Sequence, residues 1–456
     1  MLCYESRRNT NNGEKSITAK KDDGVTLKGT IAYSYDASGN KLKKTVTDNT
    51  TNPIKITTTL YLGGFEYKND TLQQVSHEEG RIRASIKGQQ TTFNYDYFIK
   101  DHLGNTRMVL TEEQQSDAYP EATMELANNA IESAFYTKIP ETRVAKPAGY
   151  IGDQNTLNYV SKVNGAGNKI GPGITLKVMS GDKFNIKANS WYKTNGVLPD
   201  PPANPLLDLL NALNGGVGNL PGAKRSPLEL EQSGIFTPGA SKFLDEQPTP
   251  QNKPKAYLNW VLFDEQFNLV QGSSGAQLVG ADNAFTTHVK QNLPVNTNGY
   301  LYIYVSNATP NIDVFWDNLQ VTHSRGALLE ESSYYPFGLK MAGISNQAAG
   351  KLQNKDKTFQ GQKFDDDLGV DWYSFKWRNH DAQIGRFIEI DPLSHDYRHN
   401  SPYAFSENRV IDGRELEGLE YVSIHHYADG STGTKMFYKS TDKEINQRGG
   451  TTSGCI

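Results

Sequence analysis

The sequence has few cysteines, little excess charge and no long apolar run. Its two cysteines, Cys3 and Cys455, are far apart in a chain of 456 residues and support neither a disulfide framework nor a metal site. The 47 basic and 51 acidic side chains give a net charge of −4, so we expect no nucleic-acid partner. No stretch approaches the roughly 20 apolar residues of a membrane-spanning helix, so we expect no membrane span.

Glycine and aromatic residues are abundant instead. The chain has 41 Gly, 24 Tyr and 18 Phe, and its hydrophobic content is 36%. This composition is typical of many short strands rather than of packed helices, and it predicts a mainly β protein. The length predicts two or three folded units. Residues 1–7 contain no apolar signal core, and we expect the chain to be the C-terminal fragment of a longer polypeptide.

Two segments of the N-terminal region have a strand–turn–strand pattern. In residues 31–42, apolar and polar residues alternate on either side of a turn formed by Asp36, Gly39 and Asn40. The same order of residues recurs at 101–107. We interpret the aspartate and histidine of that second segment as turn residues rather than as catalytic residues.

From residue 128 to residue 323 the pattern predicts an antiparallel β-sandwich. Short alternating segments are separated by turn residues, as in sandwich folds. The candidate strands are residues 174–179, 183–188, 257–263, 300–305 and 314–321. A polar connector is expected before them, at residues 113–127.

A Pro- and Gly-rich segment interrupts the predicted sandwich at residues 197–254. It contains a short amphipathic helix, residues 206–213, which the Gly215-Gly216 pair is expected to end. We interpret the segment as a mobile excursion that tethers a surface helix.

Two sets of side chains in the sandwich are candidate binding residues. Trp191, Trp260 and Trp316 are candidates for a sugar-stacking platform, and a buried sandwich core is the alternative. Asp313 and Asp317 are candidate ligands of a structural calcium ion, because Ca²⁺ prefers carboxylate oxygens. No other cofactor is expected. The alternative function of this region is a cell-surface glycan-binding module.

The C-terminal third carries the most specific motifs. They are Phe359-Gln360-Gly361, Phe364, Leu368-Gly369, Trp372-Tyr373, Gly385-Arg386-Phe387, Asp391-Pro392-Leu393 and Ser401-Pro402-Tyr403. In this order they resemble the RHS-repeat-associated core of YD-repeat proteins, and the turns near residues 36 and 101 resemble the YD repeat. The resemblance covers residues 17–112 and 330–419. The acidic run 365–367 is expected to be a solvated turn.

The resemblance implies a domain order and a structural function. Residues 1–112 would be YD-repeat strands of a β-sheet shell, residues 330–419 the core, and the sandwich a jelly-roll-like insertion. Residues 420–456 would be a variable tail, the start of a truncated cargo. Such a shell belongs to a secreted or cell-surface protein of the polymorphic-toxin type, and it holds or releases its own C-terminal cargo. Upstream repeats and an immunity protein would be further partners.

The resemblance also implies a candidate reaction. Cores of this family cut the chain by aspartate-dependent self-cleavage after a terminal Asp-Pro-x-Gly-Leu motif, which makes Asp391 the first candidate carboxylate and Asp412 the second, with cleavage after Leu419. The motif here has Glu415 in place of the aspartate and Leu416 in place of the proline. These departures favour a turn-capping role for Asp391 over single-turnover autoproteolysis.

Overall fold

β-Strands are the main regular structure of the chain, which confirms the predicted mainly β class. The computed structural model describes residues 4–9, 14–88, 90–152, 158–218, 234, 236–248, 251–351, 353–426, 432–438 and 443–447, so Cys3 and Cys455 lie outside the described residues. The chain divides into two compact units. Unit 1 comprises Met1–Glu112, Glu330–Met341 and Leu352–Ile456, and unit 2 comprises Glu113–Leu329 and Ala342–Lys351. No helix within the described ranges is long and apolar enough to cross a membrane.

Unit 1 begins with ten strands that pair antiparallel in chain order. They are β1 (Tyr4–Asn9), β2 (Glu14–Lys20), β3 (Leu27–Tyr35), β4 (Lys41–Asp48), β5 (Lys55–Leu62), β6 (Phe65–Lys68), β7 (Thr71–His77), β8 (Gly80–Lys87), β9 (Gln90–Lys100) and β10 (Thr106–Thr111). Strands that are neighbours in this part of the sheet are also neighbours in the chain, so the register of the sheet is set by local pairings.

The predicted turns after β3 and β9 are confirmed. The Asp36 carboxylate accepts hydrogen bonds from the backbone N–H of Asn40 at 2.7 Å and from its side-chain amide at 2.8 Å. Gly39 supplies the left-handed position that closes the turn, with a φ of +83°. The Asp101 carboxylate makes the same two bonds with Asn105, at 3.0 and 2.9 Å. Asp36 and Asp101 therefore stabilise hairpin turns of the sheet.

Unit 2 contains the predicted β-sandwich. Its strands are β11 (Ser116–Ala118), β12 (Arg143–Ala145), β13 (Tyr159–Val163), β14 (Ile170–Val178), β15 (Lys183–Tyr192), β16 (Ala256–Asp264), β17 (Gly275–Leu278), β18 (Thr286–Pro294), β19 (Gly299–Asn307) and β20 (Val314–Ser324). One sheet has the order β12-β13-β20-β15-β18, with β11 also paired to β20, and the other has the order β14-β19-β16-β17. Apolar side chains of both sheets form the core between them.

Four helices accompany these strands in the described part of unit 2. They are α1 (Asn129–Phe135), α2 (Ile139–Thr142), α3 (Leu206–Gly218) and α4 (Phe236–Asp245). Helices α3 and α4 cover the face of β19 that points away from the sandwich core. Leu301, Ile303 and Val305 point into the sandwich, while Tyr300, Tyr302 and Tyr304 lie on the opposite face, where α3 and α4 bury them.

The prediction of a surface helix that ends at the glycine pair is wrong. α3 continues through both glycines, and Leu209, Leu213 and Val217 are buried in the cluster that contains the tyrosines of β19. A Cβ atom on Gly216 would lie 2.0 Å from the Thr175 hydroxyl oxygen, so this glycine allows the helix to approach β14 closely. Residues 219–233, 235, 249 and 250 of the predicted excursion lie outside the described residues.

The remaining strands are short. Among them, β21 (Leu328–Glu331) and β22 (Asn346–Gln347) precede the others in the chain. A four-stranded antiparallel sheet of unit 1 contains β23 (Lys363–Asp365), β24 (Trp372–Ser374), β25 (Asn379–Asp381) and β26 (Arg386–Phe387). A second one contains β27 (Gly413–Leu416), β28 (Glu420–His426), β29 (Thr432–Tyr438) and β30 (Lys443–Gln447).

Asp365 is buried, so the prediction that residues 365–367 form a solvated turn is wrong for this residue. Its side chain is 1% exposed and pairs with the Lys44 ammonium at 2.6 Å, while the Tyr33 hydroxyl donates to it at 3.0 Å. Burial alone would raise the pKa of Asp365, but Lys41 and Lys44 hold that pKa far below its usual range. The acidic residue thus ties the core segment to strands β3 and β4.

Candidate functional site

The three candidate sugar-binding tryptophans do not form a platform. Trp260 and Trp316 are buried in the sandwich core, and Trp191 is buried in a separate cluster with Tyr150 and Val160. A sugar-stacking surface needs exposed ring faces on one side of the domain. The structure therefore supports the alternative prediction, in which these side chains are core residues.

The two candidate calcium ligands have protein partners of their own. Asp313 is partly exposed and accepts a hydrogen bond from the Asn164 amide at 2.7 Å, with the Lys162 ammonium at 3.3 Å. Asp317 is buried and accepts the backbone N–H of Asn318 at 2.9 Å. Among the described residues, no group of three or more His, Cys, Asp and Glu side chains is arranged to hold a metal ion.

Asp412, the second candidate carboxylate, lies at the surface. Its side chain is about half exposed and forms an ion pair with Arg409. The Tyr421 hydroxyl donates to it at 2.9 Å. The pKa of Asp412 is lowered, chiefly by the hydrogen bond from Arg409. Asp412 is therefore part of a surface ion pair and does not line the cavity that Asp391 and Glu415 share.

The predicted cleavage position lies in the loop of the β27–β28 hairpin. Leu416 and Glu420 face each other across the two strands, and residues 417–419 connect them. Gly418 has a φ of +85°, and a Cβ atom there would lie 2.9 Å from that of Phe375. The backbone N–H of Leu419 donates to the Leu416 carbonyl at 3.0 Å. The loop is therefore a tight turn that packs closely against Phe375.

Arg378 is the centre of the site. Its Nη2 atom lies 3.0 Å from a carboxylate oxygen of Asp391 and 3.7 Å from one of Glu415. Its Nε atom donates to the Gly418 carbonyl at 2.5 Å, and its guanidinium lies 3.8 Å from the centre of the Phe387 ring. One buried cation thus holds both carboxyl groups and the hairpin loop.

A small cavity adjoins these groups. Its volume is about 20 Å³, which is sufficient for one water molecule. Its lining includes Asp391 and Glu415, and also Leu419 and Glu420, which lie on either side of the predicted cleavage position. One carboxyl oxygen of Glu415 accepts no hydrogen bond from any described residue. A water molecule in the cavity would therefore lie among Asp391, Glu415 and the two residues on either side of the predicted cleavage position.

The carboxyl groups of the site differ in their environment. Burial raises the pKa of Glu415 to about 8, even though Arg378 and the backbone N–H of Ser406, which donates at 2.7 Å, act to lower it. Burial also raises the pKa of Glu420, to which the Tyr397 hydroxyl donates at 3.2 Å. Glu415 is consequently protonated at neutral pH, in the state required of a general acid.

Asp391 also has the predicted turn-capping role. Its carboxylate accepts the backbone N–H of Leu393 at 2.8 Å. This bond and the ion pair with Arg378 use different oxygen atoms, so one role does not exclude the other. Arg378 was not predicted from the sequence, and Glu415 was noted only as a departure from the terminal motif and not as a catalytic candidate. The position of Glu415 in that motif is the sequence signal that could have identified it.

Comparisons with known proteins add little to this geometry. No protein-family model and no curated protein matches the chain. Two crystal structures, of TcdB2-TccC3-TEV and of TcdB2-TccC3, align with 90% and 89% of the chain at 11% and 13% identity, each with a TM-score of 0.17. The chain spans 18% and 24% of the length of those two chains. A TM-score of 0.17 does not indicate a shared fold, so the following proposals depend on the residues of this chain.

Proposed function

We propose that the chain is a β-rich scaffold that holds the segment after Leu419 and cuts its own backbone once beside that residue. The observation that carries the proposal is that Asp391 and Glu415 lie beside the same arginine, Arg378. Both also line one water-sized cavity, which Leu419 lines as well. This is the behaviour that the RHS-repeat-associated core motifs imply. The structural role is that of a shell that encapsulates or presents a C-terminal cargo.

The two carboxyl groups suit the two halves of a peptide hydrolysis. The Asp391 carboxylate takes a proton from water as the water oxygen forms a bond to the carbonyl carbon of Leu419. Glu415, protonated because its pKa is about 8, gives its proton to the amide nitrogen of Glu420 as the C–N bond breaks. The products are a carboxyl group on Leu419 and an amino group on Glu420. Arg378 holds the loop through the Gly418 carbonyl.

The hairpin keeps the two products together. The cut falls in the loop, while β27 remains hydrogen-bonded to β28, with Arg414 opposite Val422 and Gly413 opposite Ser423. Strand pairing of this kind does not require a covalent link between the strands. The scaffold therefore retains the segment after cleavage, and release requires separation of β28 from β27.

Intact mass under denaturing conditions tests the proposal. We expect the wild-type chain to be cut between Leu419 and Glu420, and Asp391→Asn and Glu415→Gln to remain uncut. Asp412→Asn is the matched control: its carboxylate is near in sequence but lies outside the cavity, and the variant is expected to cut as the wild type does.

A single uncut mass for the wild-type chain would overturn the self-cleavage proposal and leave a passive scaffold. If the wild type is cut, gel filtration without denaturant is expected to show both fragments in one peak, because the hairpin holds them. Separate elution of the fragments would contradict retention by strand pairing.

A further inference from the structure

A second cavity of unit 1 lies apart from the carboxyl site. Its volume is about 270 Å³, and it shares no lining residue with the cavity beside Leu419. The segments 330–340 and 353–383 surround it. This volume is slightly below the range of roughly 300–1,000 Å³ that holds drug-sized ligands, so the cavity suits a smaller molecule or a single side chain.

Aromatic side chains form part of the wall. Tyr334, Phe364 and Tyr373 line the cavity, and the rings of Phe364 and Tyr373 lie 5.1 Å apart between their centres. The Tyr373 hydroxyl donates to the Gly338 carbonyl at 2.7 Å, which fixes the orientation of its ring. Rings held in this way offer a preorganised surface for apolar groups and for cations.

One acidic group of the lining is already neutralised. Glu330 pairs with the Lys340 ammonium at 2.7 Å and accepts the backbone N–H of Asn354 at 3.0 Å. Lys340 is consequently engaged with a carboxylate of the same wall. This pair contributes no net charge to the cavity.

The other acidic group, Asp371, has no such partner. Its side chain is half-buried, and its carboxylate makes no hydrogen bond or ion pair with any residue that the structure describes. Its pKa is raised, first by burial and then by the nearby carboxylates of Asp366 and Asp381, although Lys28 and Lys355 act to lower it. A cation placed beside Asp371 would relieve this repulsion and pair with a partly desolvated carboxylate.

We propose that this cavity binds an organic cation of the ammonium or guanidinium class, of the size of a lysine or arginine side chain. The cation contacts the Asp371 carboxylate, and its aliphatic part packs against the rings of Tyr334 and Tyr373. The proposal is independent of self-cleavage, because no residue is common to the two sites. The ligand is either a basic side chain of a polypeptide or a free polyamine.

Calorimetric titration with three probes tests this inference on the purified chain. The probes are N-acetyl-arginine amide, its neutral analogue N-acetyl-citrulline amide, and putrescine. We expect the arginine probe to bind at least tenfold more tightly than the citrulline probe. Binding of putrescine as well would identify a general cation site, whereas binding of the arginine probe alone would identify a side-chain site.

Two variants separate the site from general surface charge. Asp371→Asn removes the charge with almost no change of shape, and asparagine tolerates the backbone φ of +52° at this position. We expect it to weaken binding of the arginine probe at least tenfold. Asp412→Asn, which removes a surface carboxylate that lines neither cavity, is expected to leave binding unchanged.

The inference would be overturned by equal binding of the arginine and citrulline probes, by the absence of binding of every cationic probe, or by equal weakening in the two variants. Thermal unfolding of Asp371→Asn without ligand accompanies the titration. An unchanged melting temperature would show that lost binding comes from the site and not from a loss of folded protein.

Discussion

The Arg378 guanidinium lies 3.0 Å from the Asp391 carboxylate because the antiparallel pair β25–β26 brings the two residues to the same end of a hairpin. Arg378 directly precedes β25, and Asp391 follows β26 by a few residues. The start of one antiparallel strand lies beside the end of the next. The β27–β28 hairpin then adds Glu415, so two short strand pairs together build the site.

The rate of self-cleavage is expected to decrease as the pH rises through about 8. The mechanism needs the protonated form of Glu415, and the pKa of this group is about 8. Above that value the protonated fraction falls about tenfold for each pH unit, and the rate should fall with it. The measurement is the rate of fragment formation by chain refolded from denaturant, at a series of pH values between 6.5 and 10.

A constant rate across this range would contradict a role for Glu415 as the general acid. Asp412→Asn serves as the control, since its carboxylate lies outside the cavity and its profile should match that of the wild type.

The contribution of Glu415 to the stability of the folded state is expected to decrease as the pH rises from about 4.5 to about 8. Glu415 has an ordinary pKa of 4.5 and a folded-state pKa of about 8, so the folded chain binds this proton more tightly than the unfolded chain does. The stabilisation that comes from Glu415 therefore decreases with pH across that window, whereas His288 and His380, whose pKa values burial lowers to about 4, contribute in the opposite direction. Chemical unfolding of uncut Asp391→Asn, with and without Glu415→Gln, isolates the effect of Glu415. The unfolding free energy of the single variant minus that of the double variant should fall as the pH rises through this window.

Gly418→Ala is expected to destabilise unit 1 and to slow cleavage. A left-handed alanine costs about 1–2 kcal/mol, and the Cβ atom would meet that of Phe375 at 2.9 Å. Gly63→Ala is the matched control, because Gly63 also has a positive φ, of +56°, but an added Cβ has no neighbour within 4 Å. Equal losses of unfolding free energy in the two variants would show that the Phe375 contact contributes nothing.

Asp365→Asn is expected to lower the free energy of unfolding by about 3–5 kcal/mol, since it leaves buried Lys44 without its main charge partner. Asp366→Asn, on a partly exposed ion pair with Lys355, should cost less than about 1 kcal/mol. Lysine neighbours keep the pKa of Asp365 below its ordinary value of 3.8, so this stabilisation is lost as the pH falls below about 4. Urea unfolding of each variant at pH 7 and at about pH 2 provides the comparison.

Local interactions could be predicted from the sequence. The turn at Asp36 needs only residues that follow within four positions, and its hydrogen bonds match the prediction. The alternation of polar and apolar residues likewise marks strands, because side chains of a strand point to opposite faces. These signals are sufficient for the mainly β class.

Contacts between residues that are far apart in the sequence could not be predicted from such local patterns. Asp365 is paired with residues more than 300 positions earlier in the chain, so its sequence neighbours suggested a solvated turn. At the candidate site the motif drew attention to Asp391 and Asp412, but only the fold shows that Glu415, and not Asp412, shares Arg378 with Asp391. Burial, which raises the pKa of Glu415, is also a property of the tertiary structure.

Substitutions at the two adjacent glycines of α3 measure the effect of helix propensity separately from the effect of helix packing. Gly215→Ala is expected to stabilise unit 2 by about 0.5–1 kcal/mol, because alanine favours helix and an added Cβ meets no atom within 4 Å. Gly216→Ala is expected to destabilise it by about 1–3 kcal/mol, since the Cβ would lie 2.0 Å from the hydroxyl oxygen of Thr175 and 2.8 Å from its Cβ. Thr175 is β-branched and lies in β14, so it cannot rotate away freely. Chemical unfolding of the two variants gives opposite signs if α3 packs on the sheet as described, and stabilisation by both would show that the helix does not approach β14.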